Sequence, residues 1–143
     1  MKYVDSWQFW AFLSAGFAAL TAIFAKIGIE NVNSDFATFI RTIIILLAAG
    51  VIVVASGHWQ APASLSARTW MFLVMSGLAT GLSWICYFRA LKLGQASQVA
   101  PIDKLSVVMV AIIAVAFLGE RLSAGAWAGV AMIAGGAVLV AVS

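Results

Sequence analysis

Five ionisable residues, Lys26, Arg41, Arg89, Asp103 and Lys104, lie inside or at the edge of long apolar runs. An ionised side chain at the centre of a bilayer costs about 2.5–3.5 kcal/mol on insertion scales, so each of them must reach the interface, find a partner or serve a polar solute. Lys26 and Arg89 sit within about a turn of a run's end, where a long stem carries its charge to the headgroups, and they are the candidates for gating or ion pairing. Arg41 lies about a turn and a half into its run, and Asp103 with Lys104 lies at a similar depth just after Pro101. Adjacent helical residues point about 100° apart, so Asp103 is expected to pair with Arg41 or Arg89 rather than with Lys104. Such a pair would gate or bind a polar substrate, or simply fix helix register.

Two further features mark a polar pathway. Pro101 has no amide N–H and frees the carbonyl of Ser97, which loosens the start of its helix and offers backbone polar groups to a cavity. Trp84, with Cys86, Tyr87 and Phe88, sits deep in the third run, where an indole N–H needs a partner; it either lines a cavity or packs against protein or lipid. The candidate substrate-pathway residues are therefore Arg41, Trp84, Tyr87, Asp103 and Lys104.

Other chemistry is absent. The single histidine, His58, lies in a loop beside Trp59, and there is no metal-ligand spacing, nucleophile elbow or phosphate loop. Neither an enzyme, a metal site nor a cofactor is expected. The single cysteine, Cys86, permits no internal disulfide and reads as a small buried apolar residue.

The elements that must position these residues are five apolar stretches, at about 7–29, 36–55, 70–91, 98–118 and 124–142. Each is close to the ~20 residues that cross a ~30 Å hydrocarbon core as an α-helix. Continuous apolarity also excludes barrel strands, which alternate over about 10 residues. Of 143 residues, 64% are hydrophobic and 9% charged, against about 25% charged in a soluble domain, so the chain needs lipid as solvent. Its net charge of +3 is scattered singly along the sequence, which gives nucleic-acid binding no support. The first run follows Lys2 but exceeds the ~7–15 residues of a signal-peptide core, and is read as the first span.

Short links at 30–35, 57–69, 92–97 and 119–123 make consecutive helices antiparallel neighbours in a single all-α domain, residues 1–143, with no extramembrane part. Trp7, Trp10, Trp70 and Trp127 lie near span ends as interfacial anchors. Small residues recur every four positions at Ala11, Ala15 and Ala19, at Gly77 and Gly81, and at Gly125 and Gly129; these rows serve either a dimer seam or close packing within one bundle. Five spans place Lys26, Arg41, Arg89, Lys92, Asp103 and Lys104 on one side of the membrane, an electropositive vestibule containing one acid.

Orientation is nearly balanced. Lys2, Arg68 and Arg121 against Lys92 favour a cytoplasmic N-terminus, but adding Lys26, Arg41, Arg89 and Lys104 reverses the preference. A chain inserted in both orientations would show this balance and could form an antiparallel homodimer, recreating the inverted repeats on which many transporters are built.

The second half carries a recognisable pattern: residues 87–94 (Tyr-Phe-Arg-Ala-Leu-Lys-Leu-Gly), Ala96 to Pro101, residues 117–122 (Phe-Leu-Gly-Glu-Arg-Leu), Gly129 and Gly135-Gly136. In these it resembles one EamA-type repeat of the drug/metabolite transporter superfamily, most specifically over residues 84–140. The resemblance implies a five-helix unit that is half of an inverted-repeat transporter, with small metabolites or drugs as cargo. Members commonly carry two such units in one chain, and this sequence resembles the single-repeat members, for which a homodimer is expected. Gly119, Glu120 and Arg121 read as a tight structural turn, with Gly119 adopting the turn geometry and Glu120 capping the next helix or pairing nearby. Related repeats are usually apolar where Asp103 and Lys104 stand, and an acid in the first span, used by some relatives for exchange, has no equivalent between Trp7 and Ile29.

The expected function is transport of a small organic solute across the cell (inner) membrane by a multi-pass protein, through alternating access of an antiparallel homodimer. The alternative is a non-transporting membrane subunit or scaffold whose polar residues only hold helices together.

Overall fold

The computed structural model describes residues 6–143, so Lys2 of the orientation count lies outside the described residues. The helices are α1 (Trp7–Gly28), α2 (Ser34–Ala55), α3 (Ala67–Leu93), α4 (Ala96–Asp103), α5 (Ser106–Phe117) and α6 (Ala124–Val142), with one 3-10 turn at Pro62–Ser64. No strand occurs among the described residues. Taking α4 and α5 as one segment, five helical segments of 19 to 27 residues are long and apolar enough to cross a membrane. Large apolar side chains point outward all along them, with Phe12 80% and Leu46 70% exposed, a surface that only lipid can solvate. This is an all-α membrane protein.

Local chemistry sets the helix ends. The Asn33 side chain accepts from the amides of Asp35 and Phe36 at 2.9 and 3.2 Å, so α2 begins at Ser34 and includes Asp35. Ser66 Oγ accepts from the Thr69 amide at 3.1 Å and starts α3 before its first apolar residue. At the end of α2, Gly57 enters the left-handed region at φ 68°. Its amide donates to Val54 O and that of His58 to Val53 O, both at 3.1 Å, a Schellman termination.

The chain divides into two compact units, one of residues 27–92 and one of residues up to 26 together with 93–143. In the second, α6 packs against α4 and α5, and the buried residues are Ala22, Ala25, Ala111, Ala114 and Ala137. Alanine at these positions lets helix backbones approach closely. In the first, the core is larger-grained: Ile29, Phe88 and Leu91, with Thr38. The Thr38 hydroxyl donates back to Ser34 O at 2.9 Å, which satisfies it inside an apolar setting.

The small-residue rows do not form these cores. Ala11, Ala15, Ala19, Gly77 and Gly125 are exposed and Gly81 and Gly129 half-buried. A methyl group added at Gly77, Gly81 or Gly129 would meet nothing within 4 Å. Cys86, expected to be buried, is also exposed, because the neighbouring Phe88 takes the inward position on α3.

Candidate functional site

Polar groups of the 27–92 unit gather where α1 ends, α2 begins and α3 ends. Asp35 lies in the first turn of α2, where the positive end of the helix dipole favours a carboxylate. Arg89, in the last turns of α3, grips it with two parallel bonds: Nε to Oδ1 at 2.9 Å and Nη2 to Oδ2 at 2.6 Å. This is the bidentate geometry that makes arginine specific for planar oxyanions. The pair remains accessible, with side chains 60% and 46% exposed.

Lys92, one residue before the end of α3, spends its ammonium on backbone. Its Nζ donates to Ile29 O at 2.6 Å, Glu30 O at 2.7 Å and Val32 O at 3.1 Å. A helix C-terminus leaves carbonyls without intrahelical partners, and a cation is the favoured group there. Lys92 thus closes the α1–α2 link.

Arg41 is treated differently. Its guanidinium carbon lies 4.6 Å from the centroid of the Trp84 ring and 5.2 Å from that of Phe88, within cation–π range. Trp84 and Phe88 stand four residues apart on α3 and so share a face. Phe88 is fully buried, and Tyr87 lies edge-on to it at 6.4 Å, so the platform is rigid. Among the described residues Arg41 has no hydrogen-bond acceptor and no carboxylate partner.

In the other unit, Lys26 donates to Gly94 O at 2.7 Å. Asp103 and Lys104 contact each other at 3.5 Å. This replaces the expected pairing of Asp103 with Arg41 or Arg89, whose carboxylate is Asp35. Here α4 ends at Asp103, and the Lys104 amide bonds to Ala100 O and Pro101 O at 3.3 and 3.1 Å. The chain then turns in 3-10 fashion, Leu105 to Ile102 O at 3.0 Å, before α5. Arg89 is taken by Asp35, and the flexible, exposed Lys104 stem spans the angle to its chain neighbour. The break falls after Pro101, at 104–105, and not at the Ser97 carbonyl.

Gly119 makes the expected turn at φ 71°, and the Glu120 amide reaches back to Ala114 O at 3.2 Å. The cap of α6 is Ser123, whose Oγ accepts from the Ala126 amide at 3.2 Å, and not Glu120. Arg121 is exposed beside it. Among the described residues no three His, Cys, Asp or Glu side chains cluster as metal ligands.

Apolarity alone places Asp35 in the 30–35 link and gives no sign of its partner. The signal that recovers it is Asn33, a preferred N-cap residue two positions earlier.

Five apolar segments of membrane-crossing length define a polytopic membrane protein. Residues 5–142 match the EamA-like transporter family, and the chain belongs to it. It is 64% identical over 138 residues to a Sinorhizobium sp. protein named as an uncharacterized transporter in the cobO 3' region, covering 96% of this chain and 98% of that protein. It is 30% identical over 135 residues to the Bacillus subtilis (strain 168) uncharacterized transporter YxxF, covering 93% of this chain but 42% of the relative. No solved structure matches the chain significantly.

Proposed function

We propose that the protein moves small organic solutes across the cell (inner) membrane by alternating access between two antiparallel copies. The observation that carries this reading is the coverage of the Bacillus relative: the chain corresponds to 42% of a longer transporter of the same kind. A second copy in inverted orientation would bring the symmetry that alternating access uses, and the Sinorhizobium relative, matched over 98% of its length, is of the same size. The nearly balanced distribution of basic residues supports insertion both ways.

The local ties made by Lys26 and Lys92 also suit a scaffold whose charges only hold helices together. Flux separates the two readings. Proteoliposomes loaded with a defined mixture of organic acids, amines, amino acids and neutral solutes are expected to lose some of them only when protein is present, as measured by mass spectrometry. No protein-dependent loss of any solute would leave the scaffold.

Topology is tested with Cys86→Ser protein carrying Ser6→Cys or Ser143→Cys. Each terminal thiol should react partly from either side of intact membranes with an impermeant maleimide. Complete reaction from a single side would overturn the antiparallel arrangement.

A further inference from the structure

We infer that Arg41, seated on the Trp84 and Phe88 rings, is the receptor for the carboxylate of an organic monoanion with an apolar or aromatic body. The inference rests on the transport reading for its place in a pathway, but the binding stands on the geometry alone.

Depth is the first argument. Arg41 lies seven residues beyond the start of α2, roughly 10 Å along the helix. Trp84 lies nine residues before the end of α3, roughly 13 Å along it. The guanidinium is held between the Trp84 and Phe88 levels and has not run out to the headgroups as a snorkelling arginine would. Holding a cation there is costly unless a partner arrives.

Charge is the second. At this end of the unit stand Arg41, Arg89 and Lys92 against Glu30 and Asp35, one positive charge in surplus. Asp35 is committed to Arg89, and Arg41 has no carboxylate partner among the described residues, so its positive charge is open to an anion. A carboxylate cancels it; a phosphate monoester, at about −1.5 to −2, would overshoot.

Shape is the third. The guanidinium carbon lies within cation–π distance of both rings, and the planar N–H fork of an arginine takes a carboxylate by two bonds. The rings are already occupied by a cation, so an organic cation would meet repulsion where the anion meets donors. The indole and phenyl edges around Arg41 offer apolar surface to the rest of the ligand. Arg89 and Asp35 form an accessible ion pair nearer the helix ends.

The test uses the full chain in nanodiscs of zwitterionic lipid, with 4-nitrobenzoate and its neutral isostere 4-nitrobenzamide as probes that quench tryptophan. The acid should bind at least about tenfold more tightly than the amide at constant ionic strength, as expected when a charged two-point contact is available to only one of them. Arg41→Gln should abolish the preference, Arg41→Lys should keep part of it, and Arg68→Gln, at the far end of α3, should leave it intact. Equal binding of acid and amide, or a preference unchanged in Arg41→Gln, would overturn the site. Should Arg41→Gln fail to yield monodisperse protein, the acid-to-amide ratio in the wild type and in Arg41→Lys decides. Phospholipid that co-purifies with the wild type and is lost in Arg41→Lys, with no preference for the acid, would make Arg41 a headgroup anchor and also overturn it. Binding of the acid without flux of any solute keeps the site and removes the transport reading. Flux confined to cations, with no preference of the protein for the acid, keeps the transport reading and removes the site.

Discussion

Arg89 holds Asp35 by a fork of two hydrogen bonds, 2.9 and 2.6 Å long, that joins the last turns of α3 to the first turn of α2. Both partners are substantially exposed, so the pair contributes orientation more than stability. Asp35→Arg and Arg89→Asp should each lower the melting temperature of the detergent-solubilised protein by a few degrees. The double reversal should restore most of the loss. Additive losses in the double variant would show that the two side chains are not coupled.

Lys92 is a different case, because its three acceptors are backbone carbonyls. Lys92→Met keeps the length and the apolar stem but leaves those carbonyls without their donor. Hydrogen bonds to charged groups are worth about 1.5–3 kcal/mol each, so the α1–α2 link should open readily. Hydrogen–deuterium exchange is the direct measure: amides of residues 29–33 should exchange at least tenfold faster, while those of α6 should not change. Unaltered exchange in the link would mean that the carbonyls are held by something other than Lys92.

Glycine separates backbone conformation from packing in this chain. Gly119 has φ 71°, and a methyl group there meets nothing within 4 Å. Gly119→Ala should therefore cost about 1–2 kcal/mol purely through the left-handed conformation. Gly77 is helical with equally open surroundings, so Gly77→Ala should be neutral or stabilising by up to about 1 kcal/mol. Thermal unfolding of the two variants side by side checks the sign of each.

Helix number and type were legible because apolarity over about 20 residues is a physical requirement of the bilayer, independent of tertiary partners. Ends set by capping were partly legible: Ser123 was expected within a link and proves to start α6, and Asn33 moves the start of α2 so that Asp35 joins it. Pairing of charges was not legible. Arg89 chooses Asp35 across 54 residues, and no period or propensity in the sequence encodes such a contact. The stop of α4 at Asp103 is a local break that the proline announced but did not locate. Arg41 and Trp84 were singled out separately by depth and by type; that they face each other follows only from how α2 and α3 pack.

Cys86 gives the surface of α3 a reporter that needs no engineering. It is exposed and lies seven residues from the end of a membrane-spanning helix, roughly 10 Å along it, so its natural solvent in a monomer is lipid. A lipophilic maleimide should modify it, an impermeant charged one should not, and a fluorophore attached there should be quenched by nitroxide-labelled lipid. Two antiparallel copies that meet along this face of α3 would shield it. Labelling should then fall as protein is concentrated in the bilayer and recover on dilution with lipid. Quenching that is strong at every protein-to-lipid ratio would place the contact between copies on another face, with the exposed Ala11, Ala15 and Ala19 row of α1 as the next surface to label.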